Sequence, residues 1–413
     1  MRLLHTSDWH LGHALHDWGR EAEHAAFLEW LLELLPAERI DALLVAGDIF
    51  DAANPPASAQ ESWYAFLAAA RARCPALEIV VIGGNHDSAA RLDAPNPLLS
   101  AMGVRMVGGL PRRAGGAVDV ARVVVPVHGS GGERALVAAV PFLRPMDLPA
   151  VDGEAGDPLV LGVRSVYADV VEQLGRERQA HEPIIAMGHL YMASGELSEL
   201  SERRILGGNQ HALPVDVFPG DVAYVALGHL HRAQRIGQDD RVRYSGSPIP
   251  LSMAEASYAH QVVVVELEGA AVKSVRPVLV PHRVEMLRLP ARGAAPLQDV
   301  LRAIRELPAA DATPLAGQPF VELAVLLERP EPTLQHQIQD ALADRGVRLV
   351  KIGRVLSGSS QPLADALSGR TLEDLTPEQV FVERHLREYK EPPSAELLAA
   401  FHELVAQAHA ETP

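Results

Sequence analysis

Five apolar stretches of this 413-residue chain each stop at a short polar loop carrying Asp, Asn or His, and that recurrence constrains the fold more than anything else in it. Residues 2–7 end at Asp8-Trp9-His10, and residues 40–46 end at Gly47-Asp48-Ile49-Phe50-Asp51. Residues 79–82 end at Gly83-Gly84-Asn85-His86-Asp87, residues 184–188 at His189, and residues 223–227 at Gly228-His229-Leu230-His231. Short apolar runs bounded by glycine read as buried strands. Helix-period segments at about 20–35 and 57–72 separate the first three runs. Strands alternating with helices predict a layered α/β fold. Further strand signals fall at 118–127, 135–141, 241–245 and 261–267, with Gly/Pro/acidic loops at 144–158 and 194–212. The expected architecture is a two-sheet sandwich flanked by helices over residues 1–281.

In open α/β sheets the strand C-termini are where sites collect, so the five loops can converge although they span most of the first 231 residues. The glycines let the backbone turn sharply and approach closely. Asp8 and His10 are two apart, as are His229 and His231. In extended backbone such pairs project to one side, so each aims two donor atoms into one cavity. Oxygen and imidazole ligands without thiolate suit manganese, iron or zinc. Cys74 is the only cysteine, which rules out an intramolecular disulfide and leaves no thiolate cluster. Outside the motifs, His5, His24, His128, His211 and His260 read as packing or surface residues. His13 and His16 lie close to the first motif. Arg144 and Arg232 suit either phosphate contacts or salt bridges, and Ser245 and Ser247 read as turn chemistry around Gly246 and Pro248.

Hydrophobic residues make up 48% and charged residues 22%, a folded-protein balance without an apolar run of the roughly 18 residues that a membrane span needs. The first strand begins at residue 2 with no charged and apolar leader before it, so a cytoplasmic location is expected. The formal charge of −16 has the wrong sign for a protein that holds nucleic acid by a global basic surface. An anionic substrate would need a locally positive pocket, which a metal cluster supplies. The basic residues are almost all Arg, with Lys only at Lys273, Lys351 and Lys390, a bias that fits overall composition.

After residue 281 the pattern changes to strand (283–289), helix (297–307), strand (319–327), helix (333–344) and strand (347–356), a small β-α-β-α-β domain over 282–360. Residues 371–413 hold two amphipathic helix candidates. The first starts at Thr376-Pro377 with Gln379 at capping-box spacing and carries Val382, Leu386 and Tyr389. The second carries Leu397, Phe401, Leu404 and Ala408. Two stripes that bury little by themselves point to a partner-docking hairpin.

The five loops together resemble the calcineurin-like metallophosphoesterase superfamily. The wider text resembles its SbcD family of bacterial nuclease subunits: residues 1–12 (MRLLHTSDWHLG), 20–24 (REAEH), 141–145 (PFLRP), 226–234 (ALGHLHRAQ) and 244–251 (YSGSPIPL). The likeness is close over the first 280 residues and architectural beyond them. It implies one metal on Asp8, His10 and His231, a second on Asn85, His189 and His229, and a bridging Asp48. It implies two Mn2+ ions, with Mg2+, Fe2+ or Zn2+ as alternatives, and a metal-bridging hydroxide that attacks the phosphodiester. His86 would assist the leaving oxygen, with Asp87 or Asp51 orienting its ring. Archaeal and eukaryotic counterparts carry a second His where this chain has Asp51, so no role of that histidine carries over.

The resemblance further implies manganese-dependent exonuclease and endonuclease cleavage of DNA ends, hairpins and single strands in repair, recombination and replication. Residues 282–360 would cap the nuclease and select DNA. Residues 371–413 would dock on an SMC-like ATPase, SbcC, within a heterotetramer built on a homodimer in the nucleoid. Two other readings use the same residues: a two-metal phosphoesterase for a non-DNA substrate, and a subunit that only positions DNA for its partner.

Overall fold

The strand Ala42–Ala46 is a continuous apolar run because its two faces enter two different cores. Leu44 and Ala46 pack in the interior between two sheets, with Val80, Ile82, Met187 and Leu227. Leu43 and Val45 point the other way, into a cluster with Phe27 and Leu31 of helix Glu21–Ala37 and Trp63 and Phe66 of helix Ala57–Arg73. Full burial of each such side chain stabilises by about 1.5–3 kcal/mol. The computed structural model describes residues 1–114, 117–149, 157–179, 181–193, 195, 212–237, 240–282, 284–310 and 313–356. In the C-terminal segment it describes residues 381, 382, 385, 386, 393, 397, 398 and 401.

The first sheet has the order Ala271–Leu279, Gln261–Glu268, Arg2–Thr6, Ala42–Ala46, Glu78–Ile82, Val104–Val107. Its last four strands are parallel, with Leu4 opposite Leu43 and Leu43 opposite Ile79. The second sheet has the order Gln234–Arg235, Val242–Tyr244, Val222–Gly228, Ile184–His189, Arg134–Ala139, Val124–His128. There too the strands that end in the polar loops, Ile184–His189 and Val222–Gly228, are parallel neighbours. The site-bearing strand ends of each sheet therefore lie side by side.

Several features differ from the sequence pattern, among them the edge strands Val104–Val107 and Ala271–Leu279, which the pattern does not signal. The strand expected at 118–127 occupies Val124–His128, and Val120–Arg122 is a 3-10 turn. Helix Pro158–Glu177 follows the 144–158 loop, where the pattern signals no helix. Its β-branched residues Val160, Val163, Val166, Val170 and Val171 weaken the helical signal, and burial of one face overrides it. Its start is chemically marked: Asp157 accepts from the Leu159 backbone N–H at 2.9 Å, with Pro158 in the first helical position.

Beyond the sandwich, Met286–Leu289 pairs in parallel with Phe320–Leu327, which also pairs with Arg348–Leu356. Helices Leu297–Arg305 and Leu334–Leu342 complete the alternation within a few residues of expectation. Compactness divides the chain into Met1–Val325 with Pro332–Arg354, and Leu326–Glu331 with Val355–Pro413. In the second unit Phe381 and Phe401 stack with centroids 4.3 Å apart. Most of the two expected terminal helices lies outside the described residues. Among the described residues, no helix is long and apolar enough to cross a membrane.

Candidate metal centre

Backbone bonds stitch the loops at the strand ends into one floor. The Asp8 N–H donates to the Gly47 carbonyl (3.0 Å), the His10 N–H to Asp48 (3.1 Å) and the Leu11 N–H to Ile49 (2.9 Å). The Asp87 carboxylate ties the third loop to the second, accepting from the backbone N–H groups of Gly84 (2.9 Å), Phe50 (3.0 Å) and Ile49 (3.2 Å). The second sheet joins where the His229 N–H donates to Asp8 Oδ1 at 3.0 Å. Two glycines make the approach possible. A Cβ on Gly228 would stand 2.0 Å from the Ala46 carbonyl oxygen, and one on Gly84 2.2 Å from Asp48 Oδ1.

Asp8 (φ 54°), His10 (φ 47°), Asp48 (φ 50°) and His229 (φ 107°) all have left-handed backbone, which costs a non-glycine residue about 1–3 kcal/mol. This corrects the expectation that Asp8 and His10 share a side because the segment is extended. Left-handed turns aim these side chains, and the tertiary framework holds them there.

Each imidazole has one nitrogen committed, which settles where the other points. His189 Nδ1–H donates to the Ala46 carbonyl (2.9 Å), leaving Nε2 at 2.9 Å from Asn85 Oδ1 and 3.3 Å from Asp48 Oδ2. His231 Nδ1–H donates to Glu255 (3.0 Å). His10 Nδ1–H donates to Asp51 (3.2 Å), while His10 Nε2 is buried with no hydrogen-bond partner among the described residues, 3.6 Å from Asp48 Oδ2. His229 Nδ1 lies 3.0 Å from Asn85 Oδ1. Within 4.8 Å of one another lie ligand atoms of Asp8, His10 and His231, of Asp8, Asp48 and His189, and of His10, Asp48 and His86. Buried lone pairs crowding on carboxylate and amide oxygens are satisfied together by a cation. An orphaned imidazole nitrogen in the same cavity fits that reading, and the donor set suits a divalent metal.

Electrostatics agree. Burial alone would raise the Asp48 carboxyl, but the His189, His10 and His86 rings hold it well below the usual carboxylate range. Burial alone would lower His189, yet Asp48 and Asp8 push it up to about 9. The carboxylates that hold this proton would equally attract a divalent cation. Burial and the neighbouring His189 push His229 down to about 3, and burial lowers His10. Both are therefore neutral and ready to donate lone pairs at neutral pH.

The structure brings Asp8, His10, Asp48, Asn85, His189, His229 and His231 to one place, with the His86 ring 4.8 Å from that of His10. The orientation expected for His86 needs correcting. Its Nδ1 donates to the Asp51 backbone carbonyl at 2.8 Å, so neither the Asp87 nor the Asp51 carboxylate turns the ring. Asp87 is occupied by three backbone donors, and the Asp51 carboxylate receives His10 and His13. His13 therefore stands one layer behind His10, and His16 is exposed.

Ser245 does more than form a turn. It bonds Ser7 Oγ at 2.8 Å, and Ser7 Oγ–H donates to Asp8 Oδ2. His5, His24 and His260 are buried packing residues, exposed His128 bonds Glu78, and His211 lies outside the described residues. Arg144 is exposed, and the Arg232 guanidinium lies 5.7 Å from the Tyr258 ring centroid. Sequence reasoning missed Glu255, fully buried behind His231. A single Glu in Met253-Ala254-Glu255 carries no motif, and only its burial reveals it.

Residues 1–233 match the calcineurin-like phosphoesterase family, and residues 282–389 match a family described as the type 5 capsule protein repressor C-terminal domain. The SbcD subunit of the nuclease SbcCD from Rhodobacter capsulatus is 44% identical over 387 residues, 92% of this chain and 93% of that protein. The chain belongs to the SbcD family. The Escherichia coli K12 relative of the same name is 32% identical over 93% of this chain and 92% of its own length. The Bacillus subtilis member is 38% identical over 64% of this chain and 66% of its own length. Across the SbcD match with Rhodobacter capsulatus the alignment extends well beyond the phosphoesterase segment, so the likeness is not confined to a shared catalytic core.

Proposed function

We propose that this chain is the nuclease subunit of an SbcCD-type complex and hydrolyses DNA phosphodiesters at a two-cation centre, with manganese as the working metal. Asp8, His10 and His231 would hold one cation, Asn85, His189 and His229 the other, and Asp48 both. The observation that carries the reading is His10 Nε2, buried among Asp48, His231 and His86 with no hydrogen-bond partner among the described residues. When bound, the cations supply Lewis acidity for the phosphoryl oxygens and an activated water.

The remaining work falls to the chain itself. Asp48 accepts from the His86 backbone N–H at 2.9 Å, fixing the His86 loop to the ligand floor. His86 Nδ1–H is held by the Asp51 carbonyl, which leaves Nε2 to carry a proton to the departing oxygen. Asp51 keeps His10 in the tautomer that presents Nε2, as Ala46 does for His189. Residues 282–360 would select DNA, residues 371–413 would dock on the SbcC-type ATPase, and two copies would pair within the assembly.

The test combines the full chain with its ATPase partner, Mn2+, linear and hairpin DNA, and an aryl phosphodiester as competitor. Asp48→Asn is expected to abolish cleavage with loss of bound metal. His86→Gln is expected to keep wild-type metal content and cut roughly 10²–10⁴-fold more slowly. Equal metal loss in both variants would remove the proton-carrying role from His86. A complex that hydrolyses the aryl ester and leaves DNA intact would favour the non-DNA phosphoesterase.

A further inference from the structure

One short turn, residues 250–255, touches both the proposed ligands and the small sheet. On the metal side, Glu255 receives His231 Nδ1–H on Oε1 at 3.0 Å and the Leu251 N–H on Oε2 at 2.9 Å. The Leu251 carbonyl lies 2.9 Å from His13 Nε2, and His13 Nδ1 lies 3.0 Å from Asp51 Oδ1, the atom that receives His10. Both histidines proposed for one cation are therefore backed by a single turn.

Its other side faces the small sheet. The Pro250 carbonyl accepts from the Arg20 guanidinium at 2.8 Å. Arg20 is only 1% exposed, is clamped by both carboxylate oxygens of Glu23, and stands 5.0 Å from the Phe320 ring centroid. Phe320 opens the strand Phe320–Leu327, and the Arg348 guanidinium lies 3.7 Å from the same centroid. Within the turn, Met253 packs against the apolar cluster of Leu15, Val284 and Phe320. Trp18 Nε1–H adds a bond to the Leu349 carbonyl at 2.8 Å. With Pro250, Leu251 and Glu255 buried and bonded on both sides, the turn has little freedom to move independently of either neighbour.

We propose that this turn is a positioning strut: Glu255 and Leu251 orient His231 and His10 according to where Phe320 and the small sheet rest against Arg20 and Met253. Displacing that sheet then weakens the cation held by those two histidines and spares the other. The inference rests on the reading that His10 and His231 bind a cation. The other site supplies its own control, because His189 is oriented by the Ala46 carbonyl and does not touch the turn. Glu255 and Arg20 are positioning residues, acting through His231 and the turn rather than on substrate. Outer partners of metal-bound imidazoles act by fixing tautomer and ring angle, and their loss lowers metal affinity by roughly 10–100-fold.

The experiment is Mn2+ titration of the full chain by calorimetry, with the electron paramagnetic resonance spectrum of the bound ion as a readout independent of catalysis. Glu255→Gln is expected to weaken one binding event by roughly 10–100-fold and to alter its spectrum, leaving the second event within about twofold. Phe320→Leu and Arg20→Lys, which touch no proposed ligand, are expected to weaken the same event by roughly 3-fold or more. If Glu255→Gln fails to fold, these two conservative variants decide alone. Wild-type affinity at both events in the folded variants overturns the strut, even if melting temperature falls. A wild-type chain that takes up no Mn2+ overturns the metal reading and the strut together; two events in wild type, unchanged in the variants, overturn the strut alone.

Discussion

Asp87→Asn separates two views of a residue that the motif alone assigns to catalysis. In the structure its carboxylate is 2% exposed and accepts three backbone N–H groups, Phe50 on Oδ1 and Ile49 and Gly84 on Oδ2. An asparagine has one accepting oxygen. Its best placement keeps the oxygen toward Ile49 and Gly84 and turns the NH2 group on the Phe50 N–H, donor against donor. One buried donor is then unsatisfied, at about 1–3 kcal/mol, and two bonds fall from charge-assisted to neutral, at about 0.5–1 kcal/mol each. Offsetting this, burial and the Asp48 carboxylate push the Asp87 carboxyl up to about 6, so the neutral amide escapes some repulsion. The losses sum to about 2–5 kcal/mol, the escape from repulsion returns part of that, and the expected net loss is about 1–2 kcal/mol. Urea denaturation of the metal-free chain at pH 7.5 measures it, and calorimetry with Mn2+ reports whether the Asp48 and Asn85 loops have drifted apart. A variant within about 0.5 kcal/mol of wild type but slower in cleavage at full metal occupancy would refute the staple and return Asp87 to the His86 ring.

Gly228→Ala places a methyl carbon where the Ala46 carbonyl stands, backbone against backbone between the two sheets. Destabilisation of roughly 3 kcal/mol or more by chemical denaturation is expected, and a change below about 1 kcal/mol would contradict the close approach. His5 and His24 are buried with pKa values lowered from 6.5 to about 3, mainly by burial. The unfolded chain therefore binds more protons below pH 6.5, so stability is complete above that value and falls as pH drops toward 3. At pH 5.5 each costs about 1.4 kcal/mol, and His5→Gln should remove about one proton from the slope in chelator-treated protein. Asp8, Asp48, Asp51, Asp87 and Glu255 surround the cavity. A nucleoside monophosphate should accordingly show no calorimetric binding in chelator and should bind once Mn2+ is present; equal affinity in both conditions would place the phosphate elsewhere.

The strands were legible wherever a run was apolar on both faces, as at Ala42–Ala46, because a two-sided core permits no polar interruption. Helix Pro158–Glu177 was not, since its β-branched residues belong to a sheet by propensity and to a helix by tertiary burial. The proposed ligands were legible because Asp, Asn and His recur at the ends of five separate apolar runs, which turn formation at any one of them does not explain. The residues behind them were not. Glu255, Ser7 and Ser245 act through single hydrogen bonds set by contacts with segments far away in sequence, and His13 reads from its neighbours only as a nearby histidine.

Backbone strain links these two halves. Four of the six non-glycine residues with left-handed φ among the described residues are Asp8, His10, Asp48 and His229. At about 1–3 kcal/mol each, that geometry needs support from beyond the loops. Trp9, between Asp8 and His10, provides some of it: fully buried, it makes edge contacts with Phe27, Trp63 and Phe66 and donates Nε1–H to Thr6. His229 is anchored by its neighbour Leu230, fully buried in the core between the sheets, and is held through Gly228 against Ala46 and through its N–H on Asp8. The helix-side core thus sustains the strain on one sheet, and the closeness of the two sheets sustains it on the other. Ligands aimed by a backbone held on both sides in this way have the preorganisation that a metal site of this donor set requires.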